Sequence, residues 1–155
     1  MTSVAVPSVL DTSLFLQDLK LKKKESVLHE LVCAAQGVRV VRDADLLHDT
    51  LVRRERWCSS AIGKGVAVPH ARSLGVLIPR TIVGRSLRGV DWGAADGLAV
   101  QLVLLVLSPS ESSPDVHLDL VARAIAITRL QRNRQRLLDA DGAAALADVL
   151  REAGA

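Results

Sequence analysis

The N-terminal part of the chain contains two stretches in which apolar residues recur at helical spacing. In the first stretch, five apolar positions share one helix face and Gly37 follows as a natural stop; they are Val27, Leu28, Leu31, Val32 and Ala35. In the second, Leu47 and Leu51 follow Asp43, whose side chain is a preferred helix N-cap. The pattern predicts two consecutive helices, the second running towards Arg54.

From Gly63 onward the spacing becomes that of short strands. Gly63 and Gly65 disfavour a helix, and Val66–Val68 is short and compatible with a strand. Pro69 cannot donate a ladder hydrogen bond, so the strand should end before it. His70 is therefore expected just past the end of a strand.

Two later stretches add strands to the predicted sheet. Thr81–Val83 opens one of them, and the turn signal Asp96-Gly97 comes directly before the apolar run LAVQLVLLVL at 98–107. A strand that is apolar at nearly every position has both faces buried. We expect this run to lie at the centre of the sheet.

The segment after residue 112 has the features of a helix start. Ser113 is a preferred N-cap residue, and Pro114 is favoured at the first helical position. Asp115 follows in the first turn, where a negative charge interacts favourably with the positive end of the helix dipole. His117 then falls about one turn inside this helix. A last helix is expected after Asp141, with an apolar face made of Leu146, Val149 and Leu150.

Strands and helices are thus expected to alternate within one domain. The chain has 155 residues, a length that supports a single apolar core. Hydrophobic residues make up 49% but aromatic residues only 2%, so the core must consist of aliphatic side chains. The sequence predicts an α/β domain with a largely buried sheet covered by helices.

Composition also indicates the environment of the chain. The run at 98–107 is roughly half of the ~20 residues that cross a bilayer, and the first residues lack the basic and apolar segments of a secretory signal. We expect a cytoplasmic protein with no direct membrane insertion. Cys33 and Cys58 lack the paired spacing of zinc or disulfide sites, so free thiols are expected.

Two basic runs raise the question of nucleic-acid binding. They are KLKKK at 20–24 and RLQRNRQR at 129–136, in a chain of net charge +3. Single-strand binding also uses aromatic side chains on which bases stack, and the chain has one Phe, two Trp and no Tyr. Solvated helix faces explain the charges more simply, and no nucleic-acid partner is expected.

The four histidines differ in their predicted surroundings. His29 and His48 lie in amphipathic helices beside charged residues, where a solvated or capping role is ordinary. His70 and His117 lie at a strand end and near a helix start, where ligands gather in α/β domains. A neutral imidazole can act as nucleophile or base. Arg72 can donate charge-assisted hydrogen bonds to phosphoryl oxygens. A phosphate-handling site is predicted, and a purely structural role for His70 stays open.

Other chemistries fit the sequence less well. The stretch GKG at 63–65 lacks the spacing of a P-loop and the Ser or Thr that follows its lysine. A zinc site on His70 and His117 would need a third ligand, such as Asp115 or Asp119, and no zinc motif supplies one. No GxSxG setting supports a serine hydrolase. We therefore expect neither a cofactor nor a metal.

Three stretches together carry a family resemblance: RRERWCSSAIGKGVAVPHAR, the Asp-Gly turn before the buried strand, and HLDLVARA. The chain resembles the enzyme IIA domain of the bacterial phosphoenolpyruvate-dependent phosphotransferase system, in the fructose and mannitol class that includes the nitrogen-regulatory proteins. The implied organisation is a flexible N-terminus at 1–12 and a IIA-like domain at 13–155. The implied fold is a single α/β domain with a mixed central β-sheet of about five strands flanked by helices.

The resemblance also implies roles for individual residues. His70, in the Pro-His dipeptide, matches the histidine that accepts a phosphoryl group through Nε2 from the histidine-containing phosphocarrier protein. His117 matches the second active-site histidine, which orients the first. Arg72 and Ser60 are expected to stabilise the phosphoryl group. The family commonly has Ser-Thr-Gly where this chain has SSA at 59–61, and alanine takes a positive φ less readily than glycine, which leaves the course of this loop open.

Three functions are compatible with this resemblance. A carrier would pass the phosphoryl group from His70 to a cysteine on a separate enzyme IIB partner during sugar uptake. A regulator would use phosphorylation of His70 to change a surface that docks on a target protein. A non-catalytic domain is the third, and retention of both His70 and His117 argues against it. Because the chain is a lone domain, regulation is favoured; carrier and regulator are both phosphotransferase components with a phosphohistidine intermediate.

Overall fold

Within the described residues, two helices precede the strands and three helices follow them. The computed structural model describes residues 14–153, and the segment 1–12 that is expected to be flexible lies outside the described residues. The helices are α1 (Lys24–Gly37), α2 (Ala44–Trp57), α3 (Pro114–Arg129), α4 (Gln131–Asp139) and α5 (Gly142–Glu152). The expected alternation of strands and helices is wrong, because the strands follow one another directly through turns and loops.

Within residues 14–153, five strands form one mixed sheet. They are β1 (Ala61–Gly63), β2 (Val66–Ala67), β3 (His70–Ser73), β4 (Arg80–Val90) and β5 (Val100–Pro109). Strand β5 pairs with β4 antiparallel and with β2 and β3 parallel, while β1 pairs antiparallel with β2. The α/β fold with a mixed central sheet of about five strands flanked by helices is confirmed.

The apolar run at 98–107 forms most of β5, and both faces of this strand are buried. Alternate side chains join two different cores, which give the molecule three layers. Val103, Leu105 and Leu107 pack on the side of α1 and α2. Leu102, Leu104 and Val106 pack on the side of α3, α4 and α5. The expectation that this run lies at the centre of the sheet is confirmed.

Strands β2 and β3 are two parts of one interrupted strand beside β5. Both keep the same register, since Val66 lies opposite Leu102 and His70 opposite Val106. The strand ends before Pro69 as expected and His70 lies past that end, but the sequence did not predict that His70 is also the first residue of a further strand, β3. Pro69 lacks an N–H but its carbonyl accepts a hydrogen bond of 2.9 Å from Val106, so the chain rejoins the sheet directly after the proline.

Two predicted helix starts are confirmed by their caps. The Asp43 side chain accepts a hydrogen bond of 3.0 Å from the backbone N–H of Leu46 at the start of α2. The Ser113 hydroxyl accepts one of 3.2 Å from Asp115 at the start of α3. Both caps satisfy N–H groups that a helix start otherwise leaves without partners. The Ser113 cap fixes the first turn of α3, which contains His117.

The lengths and compositions of the helices also bear on the question of a membrane span. Among residues 14–153, no helix combines the length and the apolar character needed to cross a membrane.

Candidate active site

The fold brings His70 and His117 into contact. His70 lies opposite Val106, so its side chain projects on the sheet face that α3 covers, and His117 lies in the first turn of that helix. Nδ1 of His70 is 3.2 Å from Nε2 of His117, and the ring centroids are 5.3 Å apart. The two histidines that the sequence singles out are therefore neighbours within hydrogen-bonding distance.

A third group, the hydroxyl of Ser108, extends this pair into the protein interior. Ser108 Oγ lies 2.8 Å from Nδ1 of His117. Ser108 is buried at the end of β5, on the same face as Val106, and His117 is buried as well. Sequence reasoning missed Ser108; the available signal was a polar residue ending an otherwise apolar strand with two buried faces.

The loop before β1 is held by a buried carboxylate. Both oxygens of Glu55 accept hydrogen bonds from the backbone N–H of Ser60, at 3.1 and 3.3 Å. Lys24 pairs with the same carboxylate at 3.4 Å. Ala61 opens β1 and is not among the positions with positive φ, so the alanine in SSA imposes no backbone strain. The course of the loop, left open by the sequence, is thus defined by Glu55.

Ser60 faces the same cleft as His70. This cleft has a volume of about 380 Å³, and its lining includes Arg54, Trp57, Ser60 and His70. The indole N–H of Trp92 donates a 3.1 Å hydrogen bond to Ser60 Oγ, which leaves the hydroxyl proton of Ser60 available for donation. Ser60 and Arg54 therefore line the same cleft as His70, and sequence reasoning had not singled out Arg54.

Arg72 lies two residues beyond His70 on the same face of β3. Its Nη2 donates a 2.9 Å hydrogen bond to the carbonyl of Ser110, which anchors the guanidinium directly after the end of β5. Its Nε is buried and has no hydrogen-bond partner within residues 14–153. The positive charge of Arg72 acts on His117, whose pKa it helps to lower, but Arg72 is not among the residues that line the cleft with His70.

Burial and nearby cations keep both imidazoles neutral. Burial, and after it the positive charge of Arg54, lowers the pKa of His70 below 6.5, while the carboxylate of Glu55 acts in the opposite direction. Burial lowers the pKa of His117 to about 4, and its neighbour His70 and the cations of Arg54 and Arg72 contribute to the same lowering. At pH 7 each ring therefore has one N–H and one lone pair.

The other two histidines are not brought into this site. His29 and His48 contact each other on the outer side of α1 and α2, with ring centroids 5.1 Å apart. Nε2 of His48 lies 2.9 Å from the carbonyl of Glu25, and the exposed free thiol of Cys33 lies 3.5 Å from Nε2 of His29. No group of three or more His, Cys, Asp or Glu side chains in the described part of the chain is arranged to hold a metal ion.

Comparison with known proteins shows which family the chain belongs to. The model of the family described as "Phosphoenolpyruvate-dependent sugar phosphotransferase system, EIIA 2" matches residues 8–153. The chain belongs to this family. The resemblance noted in the sequence is thereby confirmed, and the EIIA family covers nearly the whole chain.

Relatives within the EIIA family have both transport and regulatory names. The fructose-specific EIIA component of Haloferax volcanii is 30% identical over 129 residues, covering 83% of each chain. A nitrogen regulatory protein of Pseudomonas aeruginosa is 34% identical over 108 residues, covering 70% of each chain. The fructose-specific EIIABC component of Bacillus subtilis is 29% identical over 135 residues, which are 87% of this chain and 21% of that protein.

Solved structures of EIIA proteins share the fold. The nitrogen regulatory protein IIA-Ntr of Neisseria meningitidis superposes with a TM-score of 0.82 at 24% identity, covering 92% of this chain and 96% of that chain. The mannitol IIA protein of Escherichia coli, in complex with phosphorylated IIB, gives a TM-score of 0.77 at 14% identity over 92% and 96% of the chains. These EIIA structures have the same α/β arrangement.

Proposed function

We propose that this EIIA protein is a phosphoryl-transfer protein in which His70 receives a phosphoryl group on Nε2. The proposed donor is the phosphohistidine of a histidine-containing phosphocarrier protein. The observation that carries the proposal is the contact between Nδ1 of His70 and Nε2 of His117 at 3.2 Å. Because Nδ1 is engaged by His117, Nε2 is the nitrogen of His70 left for the reaction.

The proposed step requires little beyond alignment and charge stabilisation. The lone pair of His70 Nε2 forms the new N–P bond while the donor's N–P bond breaks and its electron pair stays on the donor imidazole. Transfer of this kind is largely dissociative, so charge develops on the three equatorial oxygens. Arg54 and Ser60 line the cleft beside His70, and Arg72 adds a fixed cation. We propose these three side chains as the stabilising groups.

His117 supports the nucleophile in this proposal and is not itself modified. When Nε2 of His70 attacks phosphorus, the ring becomes positively charged and its Nδ1–H becomes a stronger donor. Nε2 of His117 is positioned to accept that hydrogen bond. Its low pKa of about 4 keeps this acceptor unprotonated at neutral pH.

Intact-protein mass after incubation with phosphoenolpyruvate, enzyme I and the histidine phosphocarrier tests this proposal. We expect the wild type to gain one acid-labile phosphoryl group, His70→Ala to gain none, and His117→Ala to gain it more slowly. His29→Ala is the matched control, since His29 is an exposed histidine outside the site, and it should behave like the wild type. A wild type that gains no mass with a cognate donor, or a His70→Ala variant that still does, contradicts the proposal.

The phosphorylated protein also separates the carrier role from the regulatory role. We propose regulation as the first role, supported by 34% identity to the nitrogen regulatory protein of Pseudomonas aeruginosa, and donation to a separate IIB protein as the second. The complex of the Escherichia coli mannitol IIA protein with phosphorylated IIB supports the second role. Rapid loss of the added mass on mixing with a IIB protein supports the carrier; stable phosphorylation with altered binding to a target supports the regulator.

A further inference from the structure

The hydroxyl of Ser108 is the inner end of a chain of three hydrogen-bonding groups that starts at His70. Ser108 Oγ lies 2.8 Å from Nδ1 of His117, and Nε2 of His117 lies 3.2 Å from Nδ1 of His70. Ser108 is 1% exposed and His117 is 4% exposed, so bulk water does not compete for these groups. The proton position on one ring therefore determines the proton position on the other.

Two proton arrangements satisfy both contacts when both rings are neutral. In the first, Nδ1–H of His117 donates to Ser108 Oγ, and Nδ1–H of His70 donates to Nε2 of His117, which leaves the lone pair of His70 on Nε2. In the second, the Ser108 hydroxyl donates to Nδ1 of His117, and Nε2–H of His117 donates to Nδ1 of His70. Nε2 of His70 then carries the proton and cannot attack phosphorus.

We propose that Ser108 is a positioning residue whose oxygen accepts from His117 Nδ1–H and thereby keeps His70 in the tautomer with a free Nε2 lone pair. The proposal rests on the proposed function, because it concerns the nitrogen that receives the phosphoryl group. Ser108 touches neither the donor nor the phosphoryl group, and it acts through His117. This proposal goes beyond the roles that the sequence predicts, which concern His70, His117, Arg72 and Ser60.

Only the first arrangement matches the charge that develops during transfer. As the Nε2 lone pair forms the N–P bond and the donor keeps the electron pair of the bond that breaks, the His70 ring becomes cationic and retains its Nδ1–H. That N–H needs an acceptor at Nε2 of His117. When Ser108 Oγ accepts from Nδ1–H, the only proton of neutral His117 lies at Nδ1 and its Nε2 stays an acceptor. No proton has to leave the site.

The test uses the uniformly ¹⁵N-labelled full chain without any donor, at about pH 8, where histidine is neutral. Two-bond ¹⁵N–¹H NMR spectra report which nitrogen of each imidazole carries the proton. The variants are Ser108→Ala, Ser108→Cys, which keeps the volume with a weaker hydrogen-bonding group, and Ser108→Thr, which restores a hydroxyl. Ser86→Ala is the control, since Ser86 is another buried serine of the sheet and has no role in the site.

In the wild type and in Ser86→Ala we expect the Nδ1–H tautomer at both His70 and His117. In Ser108→Ala and Ser108→Cys the spectra should show a mixture of tautomers, and phosphorylation should slow by roughly three- to tenfold, the size expected for one hydrogen bond. Ser108→Thr should restore both readouts. Thermal unfolding confirms that each compared variant is folded.

Three results would overturn the proposal. The first is a wild type with the proton on Nε2 of His117. The second is an unchanged pair of tautomers in both Ser108→Ala and Ser108→Cys, because slower phosphorylation would then reflect structure alone. The third is changed tautomers with an unchanged rate. Since the tautomers are read without a donor, the first two outcomes are independent of whether the proposed phosphorylation occurs at all.

Discussion

At the scale of single residues, two imidazoles stay neutral beside positive charge. Burial and the cation of Arg54 both lower the pKa of His70, and Arg54 also lowers the pKa of His117. The same cation faces the cleft in which a phosphoryl group would be bound. One arginine can thus serve both the free nucleophile and the charge of the group being transferred.

Replacing Arg54 tests this electrostatic role. The variant Arg54→Gln removes a positive charge that lowers the pKa values of His70 and His117, so both pKa values should rise towards 6.5. The rings then become protonated at higher pH, and the acidic limb of the phosphorylation rate should move to higher pH. An NMR titration of the imidazole C–H resonances measures both pKa values directly.

Arg53→Gln is the matched control for this titration. Arg53 is the neighbouring arginine of α2 and forms an ion pair with Asp49 on the helix surface. It is not among the groups that shift either pKa, so Arg53→Gln should leave both histidines unchanged. Equal shifts in the two variants, or a lower pKa in Arg54→Gln, would show that Arg54 has no specific effect on the pair.

At the scale of secondary-structure elements, the site forms where the start of β3, the end of β5 and the first turn of α3 meet. The cap of α3 is part of this junction, because the Ser113 hydroxyl accepts from Asp115 two residues before His117. The helix start is therefore fixed directly beside the histidine that contacts His70.

Removing this cap should destabilise the protein measurably. We expect Ser113→Ala to lower the free energy of unfolding by about 1 kcal/mol, the usual cost of losing an N-cap hydrogen bond. Urea denaturation measures the loss. Asp141→Ala is the control, because Asp141 precedes α5 without a side-chain hydrogen bond to the helix, and it should cost clearly less. Equal losses in the two variants would contradict the role given to the Ser113 cap.

Features with local causes could be predicted from the sequence at this scale. The caps at Asp43 and Ser113 depend only on neighbouring residues, and the double-sided burial of β5 follows from its composition. The start of β3 at His70 could not be predicted, because Pro69 normally ends a strand and only its carbonyl contact with Val106 lets the chain rejoin the sheet.

The apolar pattern of the sequence does not predict helix α4, because most residues of this helix are charged or polar. Only Asn133 and Leu137 of this helix are buried, and one apolar position among them does not make a recognisable helical repeat. Arg134 looks like part of a solvated basic run, yet its guanidinium donates to the carbonyls of Thr128 and Arg129 at the end of α3. Side-chain hydrogen bonds to the end of the preceding helix leave no periodic signal in the sequence.

In the candidate site, too, some residues have a local sequence signal and others are recognised only by their contacts in the fold. His70 and His117 could be found because the Pro-His motif and the helix start mark them. Glu55 could not, since a carboxylate within RRERW resembles a surface residue until Lys24 and the Ser60 N–H are seen to surround it. Ser108 was also missed: its place at the end of an apolar strand is visible in the sequence, but its contact with His117 of the following helix is not.

At the scale of the whole molecule, helices and sheet contribute to one site on a three-layer scaffold. Helix α2 supplies Arg54 and Glu55, the sheet supplies His70 and Ser108, and α3 supplies His117. The last helices are tied to the sheet by the buried Arg85, which donates to backbone carbonyls of Leu137, Leu138 and Ala140. Residues of α2, the sheet and α3 therefore meet at the proposed site.

The most direct test of the central claim is a ³¹P-coupled ¹⁵N NMR spectrum of the labelled protein after phosphorylation by the histidine phosphocarrier. The spectrum identifies the nitrogen atom that is bonded to phosphorus. We predict a coupling at Nε2 of His70, with His117 uncoupled and retaining its proton on Nδ1. A phosphorus coupling at Nδ1 of His70, at either nitrogen of His117, or at His29 or His48 would contradict the proposed site.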